Sequence, residues 1–153
     1  MIPDALPALT KRFEGLAKVR KDGLVYPYLC PAGYPTQGWG IRVASLDVPP
    51  ITREEADDRL LRVLPLYVSQ ALQCCPGLAA HPSKLAAIAD FCFNLGKARL
   101  AGSTLRRRIN AGDWAGAQVE LSKWVYGRNP RTGLLEKLPG LVARRAAEAE
   151  LLN

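Results

Sequence analysis

No helix of useful length fits residues 17 to 43, and this constrains the fold more than any other feature of the chain. Pro27, Pro31 and Pro35 each lack a backbone N–H and fix φ, so a helix interior or a long central strand is interrupted at every fourth residue. Just upstream, Lys21-Asp22-Gly23-Leu24 carries the Asp-Gly pair favoured in a two-residue hairpin turn, flanked by Val19 and by Val25-Tyr26. The segment reads as a small antiparallel sheet of short strands.

Helical signals surround it. Leu6, Leu9 and Phe13 fall at helical spacing between Asp4 and Glu14, and Gly15 supplies the stop. Ile51-Thr52-Arg53-Glu54-Glu55 is a capping box that opens a helix running towards Cys75, with a kink expected at Pro65. A second apolar helix over Leu85, Ile88, Ala89, Cys92 and Leu95 starts near Ser83 and stops at Gly96. Ser103-Thr104 caps a short helix, and Asp113 caps another carrying Trp114, Ala117, Leu121 and Trp124. Residues 127 to 133 read as a loop, and Pro139 opens the last helix through Leu141, Val142, Arg145, Ala149 and Leu152. The expectation is an α+β fold in one domain over residues 1–153. Its β lobe spans about 15–50, and its helical lobe about 51–153 together with the N-terminal helix 4–14.

Composition narrows the function classes. Apolar residues make up 48% and charged residues 23% of 153, which excludes intrinsic disorder and low-complexity scaffolding. The net charge of +7 points to a polyanionic partner: nucleic acid, an anionic membrane surface or an acidic wall polymer. The longest apolar stretches, Leu60 to Val68 and Leu85 to Leu95, fall short of the roughly 20 residues of a bilayer span. Met-Ile-Pro-Asp has no basic start, so no secretory signal is read and synthesis in a cytoplasm is expected. The cysteines Cys30, Cys74, Cys75 and Cys92 lack metal-ligand spacing and are expected as free thiols. His81 is the only histidine, which excludes a zinc site built on two histidines, and no metal or cofactor is expected.

Glu14 is the first candidate for chemistry. A carboxylate at a helix C-terminus, packed beside Phe13 and Leu16, is favoured in its protonated form by the helix dipole and by desolvation. That form is what a general acid needs. The plain alternative is a solvated helix-end residue. Sixteen positions on, Cys30 lies in Tyr28-Leu29-Cys30-Pro31-Ala32-Gly33-Tyr34-Pro35-Thr36, followed by Gln37-Gly38-Trp39-Gly40.

At this point the chain resembles a known family. Phe-Glu-Gly, then Asp or Cys, then Thr after five residues, then Gly-aromatic-Gly is the pattern of the phage-type lysozymes, the muramidase endolysins of glycoside hydrolase family 24. Here it reads Phe13-Glu14-Gly15, Cys30, Thr36 and Gly38-Trp39-Gly40. The resemblance continues through Asp90-Phe91-Cys92-Phe93-Asn94-Leu95-Gly96, Gly102-Ser103-Thr104-Leu105, Asn110-Ala111-Gly112-Asp113 and Trp124. It closes with Leu138-Pro139-Gly140-Leu141-Val142-Ala143-Arg144-Arg145 and Glu148. It implies the two-lobed lysozyme fold and hydrolysis of the β-1,4 bond between N-acetylmuramic acid and N-acetylglucosamine in peptidoglycan. Three departures stand out: a longer interval between Glu14 and Cys30 than is usual, Ile41 where His commonly follows Gly-aromatic-Gly, and Cys30 where Asp is commoner.

By that resemblance Glu14 is the acid, and Cys30 with Thr36 either places a water or supplies a nucleophilic thiolate. An unperturbed thiol is mostly neutral at pH 7, and no cation lies within the motif, which favours the water. Trp39, Asn94 and Arg145 are candidate substrate contacts. Their plain alternatives are a core indole, a helix C-cap and a solvated helix face, and Arg144-Arg145 also offers a charge partner for Glu14. The implied partner is peptidoglycan, reached from the host bacterial cytoplasm through a separate holin, by a monomer without nucleic acid or a stable membrane anchor. Three other readings compete. One is a wall peptidase or amidase using Cys30 and His81; another is a basic nucleic-acid-binding module using Arg106-Arg107-Arg108; the third is a catalytically inactive wall-binding descendant, given Cys30 and Ile41.

Overall fold

A computed structural model describes all 153 residues, and the chain divides into two compact units. One is Thr10–Val63; the other is Met1–Leu9 together with Leu64–Asn153. Two helices, α1 (Ala5–Glu14) and α2 (Arg53–Cys74), contribute residues to both units.

In the unit Thr10–Val63, α1 ends where the sequence places its glycine. Gly15 adopts φ 66°, and its N–H donates to Lys11 O at 3.1 Å. Around Asp22-Gly23 the chain turns tightly, with Gly23 N–H donating to Arg20 O at 2.9 Å, but the flanking residues form only the single bridge Val19↔Val25. The ladder expected there is therefore one residue long, and the sheet begins further on. It comprises β1 (Tyr28–Leu29), β2 (Pro35–Gln37) and β3 (Ile41–Arg42), antiparallel in that order. The register pairs Tyr28 with Thr36, Leu29 with Pro35, Thr36 with Arg42 and Gln37 with Ile41. Beneath the sheet, Val25, Ile51 and Ala56 make a small core flanked by Leu16, Val19 and Trp39.

So small a core needs a second tie, and Gln37 provides it. Its buried Nε2 donates to Val25 O and Pro49 O, both at 3.0 Å, while its Oε1 accepts from Arg59 at 3.0 Å. A buried amide satisfied on both ends locks the sheet to the chain that leads into α2. The Thr52 N-cap forms as the sequence predicts, Thr52 Oγ1 accepting from Glu55 N–H at 3.0 Å.

In the other unit the central element is α3 (Pro82–Leu95), with every residue from Leu85 to Cys92 buried. A helix apolar on all sides needs cover on all sides. The cover comes from α7 (Pro139–Glu150), from the 3₁₀ turn Pro76–Ala80 and from α4 (Lys97–Ala101), which has no distinct sequence signal. Next come α5 (Thr104–Asn110), capped by Ser103 accepting from Arg106 N–H, and α6 (Trp114–Leu121), capped by Asp113 accepting from Gly116 N–H. Of residues 127 to 133, expected as a loop, 129 to 133 form a turn, while Gly127 and Arg128 belong to a strand of a hairpin made by β4 (Tyr126–Arg128) and β5 (Leu135–Lys137). Strands of three residues are too short to show alternation, and Asn129, Pro130 and Gly133 read only as a turn.

Candidate active site

Sheet pleating decides which side chains meet. Antiparallel partners point to the same face, so Tyr28, Thr36 and Arg42 share one face, while Leu29, Pro35, Gln37 and Ile41 share the other. One step beyond the β1–β2 ladder, Cys30 N–H donates to Tyr34 O at 3.0 Å and Gly33 N–H donates to Cys30 O at 2.8 Å. This closes a tight loop with Gly33 at φ 86°, and it puts Cys30 two residues from Tyr28 on the same face as Thr36.

The loop also sets the charge state of the thiol. Partial burial pushes the Cys30 thiol up, but hydrogen bonds from the N–H of Tyr34, the N–H of Ala32, the Thr36 hydroxyl and the N–H of Gly33 favour the thiolate. The net direction is below the ordinary thiol value. The sequence reading of an unperturbed thiol is thus corrected: a nest of backbone N–H groups replaces the missing cation. Thr36 is buried, and its hydroxyl also lies 2.9 Å from Tyr34 O. With one proton and two acceptors, it donates to one at a time.

Glu14 is the last residue of α1. A Cβ added to Gly40 would lie 2.5 Å from Glu14 Oε2, so the Gly38-Trp39-Gly40 turn is wrapped directly against the carboxylate. Gly40 also holds φ 77°, which a residue with a Cβ rarely adopts. Gly40→Ala is therefore expected to lower hydrolysis of peptidoglycan about tenfold by displacing the Glu14 carboxylate. Normal turnover in a reducing-sugar assay would show that the turn does not position it.

Tyr28 links the two groups. Burial is the largest influence pushing its phenol above the ordinary tyrosine value, and the negative charges of Glu14 and Cys30 follow. Tyr28 thus lies within electrostatic reach of both groups. Glu14, Tyr28, Cys30, Thr36 and Gly40 all belong to the single unit Thr10–Val63. Sequence reasoning passed over Tyr28, although the register signal, two positions before Cys30 on a strand, was available.

The proposed substrate contacts fare differently. Trp39 donates through Nε1 to Asp57 Oδ1 at 2.7 Å, under Lys11, and packs on the Val25–Ile51–Ala56 core. Its indole therefore serves packing in this unit. Asn94 lies one residue before the end of α3, and Gly96 rather than Asn94 occupies the C-cap. Its Oδ1 is buried without a hydrogen-bond partner. Arg145 is 1% exposed and donates to Glu148 Oε1 at 2.6 Å. The expectation that it touches substrate is corrected, because a guanidinium enclosed in the core presents no surface to a ligand. Beside it, Arg144 grips Asp90 with two hydrogen bonds of 2.8 and 2.7 Å. His81 packs edge-on against Trp114, with ring centroids 5.5 Å apart.

A helix ending in a carboxylate, a three-stranded antiparallel sheet behind it and a helical remainder define the lysozyme class of fold. Solved structures agree: the muramidase domain of SpmX from Asticcacaulis excentricus is 26% identical and covers 99% of this chain and 97% of its own, at a TM-score of 0.80. An endolysin from Escherichia coli O157:H7 phage FAHEc1, 23% identical over 99% of this chain and 92% of its own, has the same fold at a TM-score of 0.77. Residues 11–148 match the phage lysozyme family. An endolysin of Acyrthosiphon pisum secondary endosymbiont phage 1 is 32% identical over 95% of this chain and 92% of its own. The chain belongs to the phage lysozyme family, and as such it is a muramidase-type glycoside hydrolase that degrades peptidoglycan.

Proposed function

We propose that the enzyme cuts the β-1,4 bond between N-acetylmuramic acid and N-acetylglucosamine by inversion, with Glu14 as acid and Cys30 as base. The observation that carries this reading is the sheet face shared by Tyr28, Cys30 and Thr36, together with the Gly40 turn wrapped against the Glu14 carboxylate. Glu14 gives its proton to the glycosidic oxygen as the bond to the anomeric carbon breaks. Water attacks that carbon from the opposite face and yields its proton to the Cys30 thiolate, while the Thr36 hydroxyl orients it. The N–H nest stabilises the thiolate, so Cys30 is available as a base at a lower pH than a free thiol.

The same depressed thiol favours one rival, direct attack by sulfur to form a glycosyl-enzyme with retention of configuration. Anomeric-proton NMR of freshly released sugar separates the two. An α product from the β linkage supports inversion, and a β product overturns it. Cys30→Ala is expected to lose about 100-fold in kcat, whereas Cys30→Asp should stay within about tenfold of the parent. Because the base must be deprotonated, activity rises with pH through its titration. In Cys30→Asp that rise should move down into the carboxylate range; an unshifted profile would remove Cys30 from the base role.

Synthesis in the host bacterial cytoplasm, passage to the wall after a separate holin opens the membrane, action as a monomer and independence from nucleic acid complete the proposal. They are supported by membership of the phage lysozyme family and by the endolysin relative. No helix of the structure is long and apolar enough to cross a membrane.

A further inference from the structure

The β4–β5 hairpin has two unlike faces. Its register pairs Tyr126 with Lys137, Gly127 with Glu136 and Arg128 with Leu135, so Tyr126, Arg128, Leu135 and Lys137 point one way. Gly127 and Glu136 point the other. A Cβ at Gly127 would meet Leu138 at 2.7 Å and Leu141 at 3.4 Å, which fixes the Gly127 face as the one turned onto the protein. The opposite face, alternating apolar and cationic side chains, is turned to solvent.

Leu135 at 69% and Leu134 at 64% exposure are the most exposed large apolar side chains after Met1, and Tyr126 follows at 59%, level with Val119 of α6. Arg131 stands at the turn beside them. The loop is well tied: Asn129 N–H donates to Leu134 O at 2.9 Å, Gly133 N–H to Asn129 O at 2.8 Å and Arg128 Nη1 to Gly133 O at 2.7 Å. The exposed leucines are thus displayed on an ordered support. Charge is equally one-sided. Glu136, the hairpin's one carboxylate, is on the inner face and accepts from Asn129 Nδ2. None of Arg128, Arg131 and Lys137 is in an ion pair.

We propose that this outward hairpin face docks on an anionic phospholipid bilayer surface. Leu135 on this face, with the exposed Leu134 at the turn just beyond the ladder, enters the acyl boundary, the tyrosine ring sits at headgroup depth, and Arg128, Lys137 and the turn residue Arg131 lie against lipid phosphates. Arg128 and Lys137 can hydrogen-bond a glycan strand as well as lipid phosphates, but the exposed Leu135 on the same face calls for an apolar partner, which the acyl boundary offers and a glycan strand lacks. The contact is peripheral, and it concerns residues outside the candidate active site.

Sedimentation of the full chain with vesicles tests it. Vesicles of equal parts phosphatidylglycerol and phosphatidylcholine should pull down the protein, and pure phosphatidylcholine vesicles should not. Salt of about 1 M should release it. Leu134→Asp with Leu135→Asp should weaken the partition more than about tenfold. Arg128→Gln, Arg131→Gln and Lys137→Gln should each weaken it about fivefold. Circular dichroism and hydrolysis of soluble glycan strands confirm that the variants fold; should the double aspartate variant not fold, the charge variants decide. Absence of binding to phosphatidylglycerol vesicles, equal binding to pure phosphatidylcholine, or undiminished binding by both variant sets would overturn the proposal. So would variants that lose binding to purified sacculi yet keep binding to vesicles.

Discussion

Glu14→Gln is expected to lower peptidoglycan hydrolysis by about 10²–10⁴-fold, with the fold unchanged. The amide is nearly isosteric with the carboxyl, so it still fits against the Gly40 backbone, but it has no proton to give the leaving oxygen. Without that proton the departing sugar must leave as an alkoxide. The control is structural: circular dichroism and thermal midpoint should match the parent. Unchanged turbidity clearance of outer-membrane-permeabilised Gram-negative cells by the variant would end the assignment of Glu14 as the acid. Gly40→Ala, which keeps the carboxyl but displaces it, should fall between the parent and Glu14→Gln. That ordering separates loss of the proton from loss of position.

Much of the unit Thr10–Val63 was legible because its chemistry is local. Gly15, the Thr52 cap and the Cys30 to Thr36 interval each act within a few residues, where spacing alone fixes who meets whom. Elements whose partners lie far off in sequence were not legible. Gln37 reads as an ordinary polar residue until Val25 and Pro49 are brought to its amide. The Cys30 nest was invisible for another reason: its donors are main-chain N–H groups, which every residue has, and only the folded loop from Ala32 to Tyr34 brings them to one sulfur. Arg145 misled for the opposite reason. On a helix of mixed polarity a solvated arginine is the ordinary outcome; the carboxylate partner Glu148 is local, three residues on in α7, but the burial depends on the Phe91 ring and the rest of the core brought over it by the fold.

Arg145→Ala is expected to destabilise the protein by about 3–5 kcal/mol, because it leaves a buried carboxylate without its cation. Arg145 spreads its guanidinium over the Phe91 ring at 5.2 Å and donates to Glu148, which is itself fully buried. Glu148 is held well above the ordinary carboxylate value, first by burial, with the attraction of Arg145 opposing and the nearby Asp90 charge reinforcing the rise. Removing Arg145 takes away the opposing influence, so the rise becomes larger. A carboxyl raised in the folded state contributes stability that is present below its unfolded value and lost as pH climbs through its folded one. The gap between the parent and Arg145→Ala should therefore be wider at pH 7 than near pH 3, where Glu148 is protonated in folded and unfolded chains alike. Arg145→Met combined with Glu148→Leu should recover most of the loss, since an apolar pair of similar volume needs no desolvation of charge. Urea unfolding at the two pH values reads both effects. A loss below about 1 kcal/mol, or a wider gap at the lower pH, would show that the Arg145–Glu148 pair does not hold this part of the core.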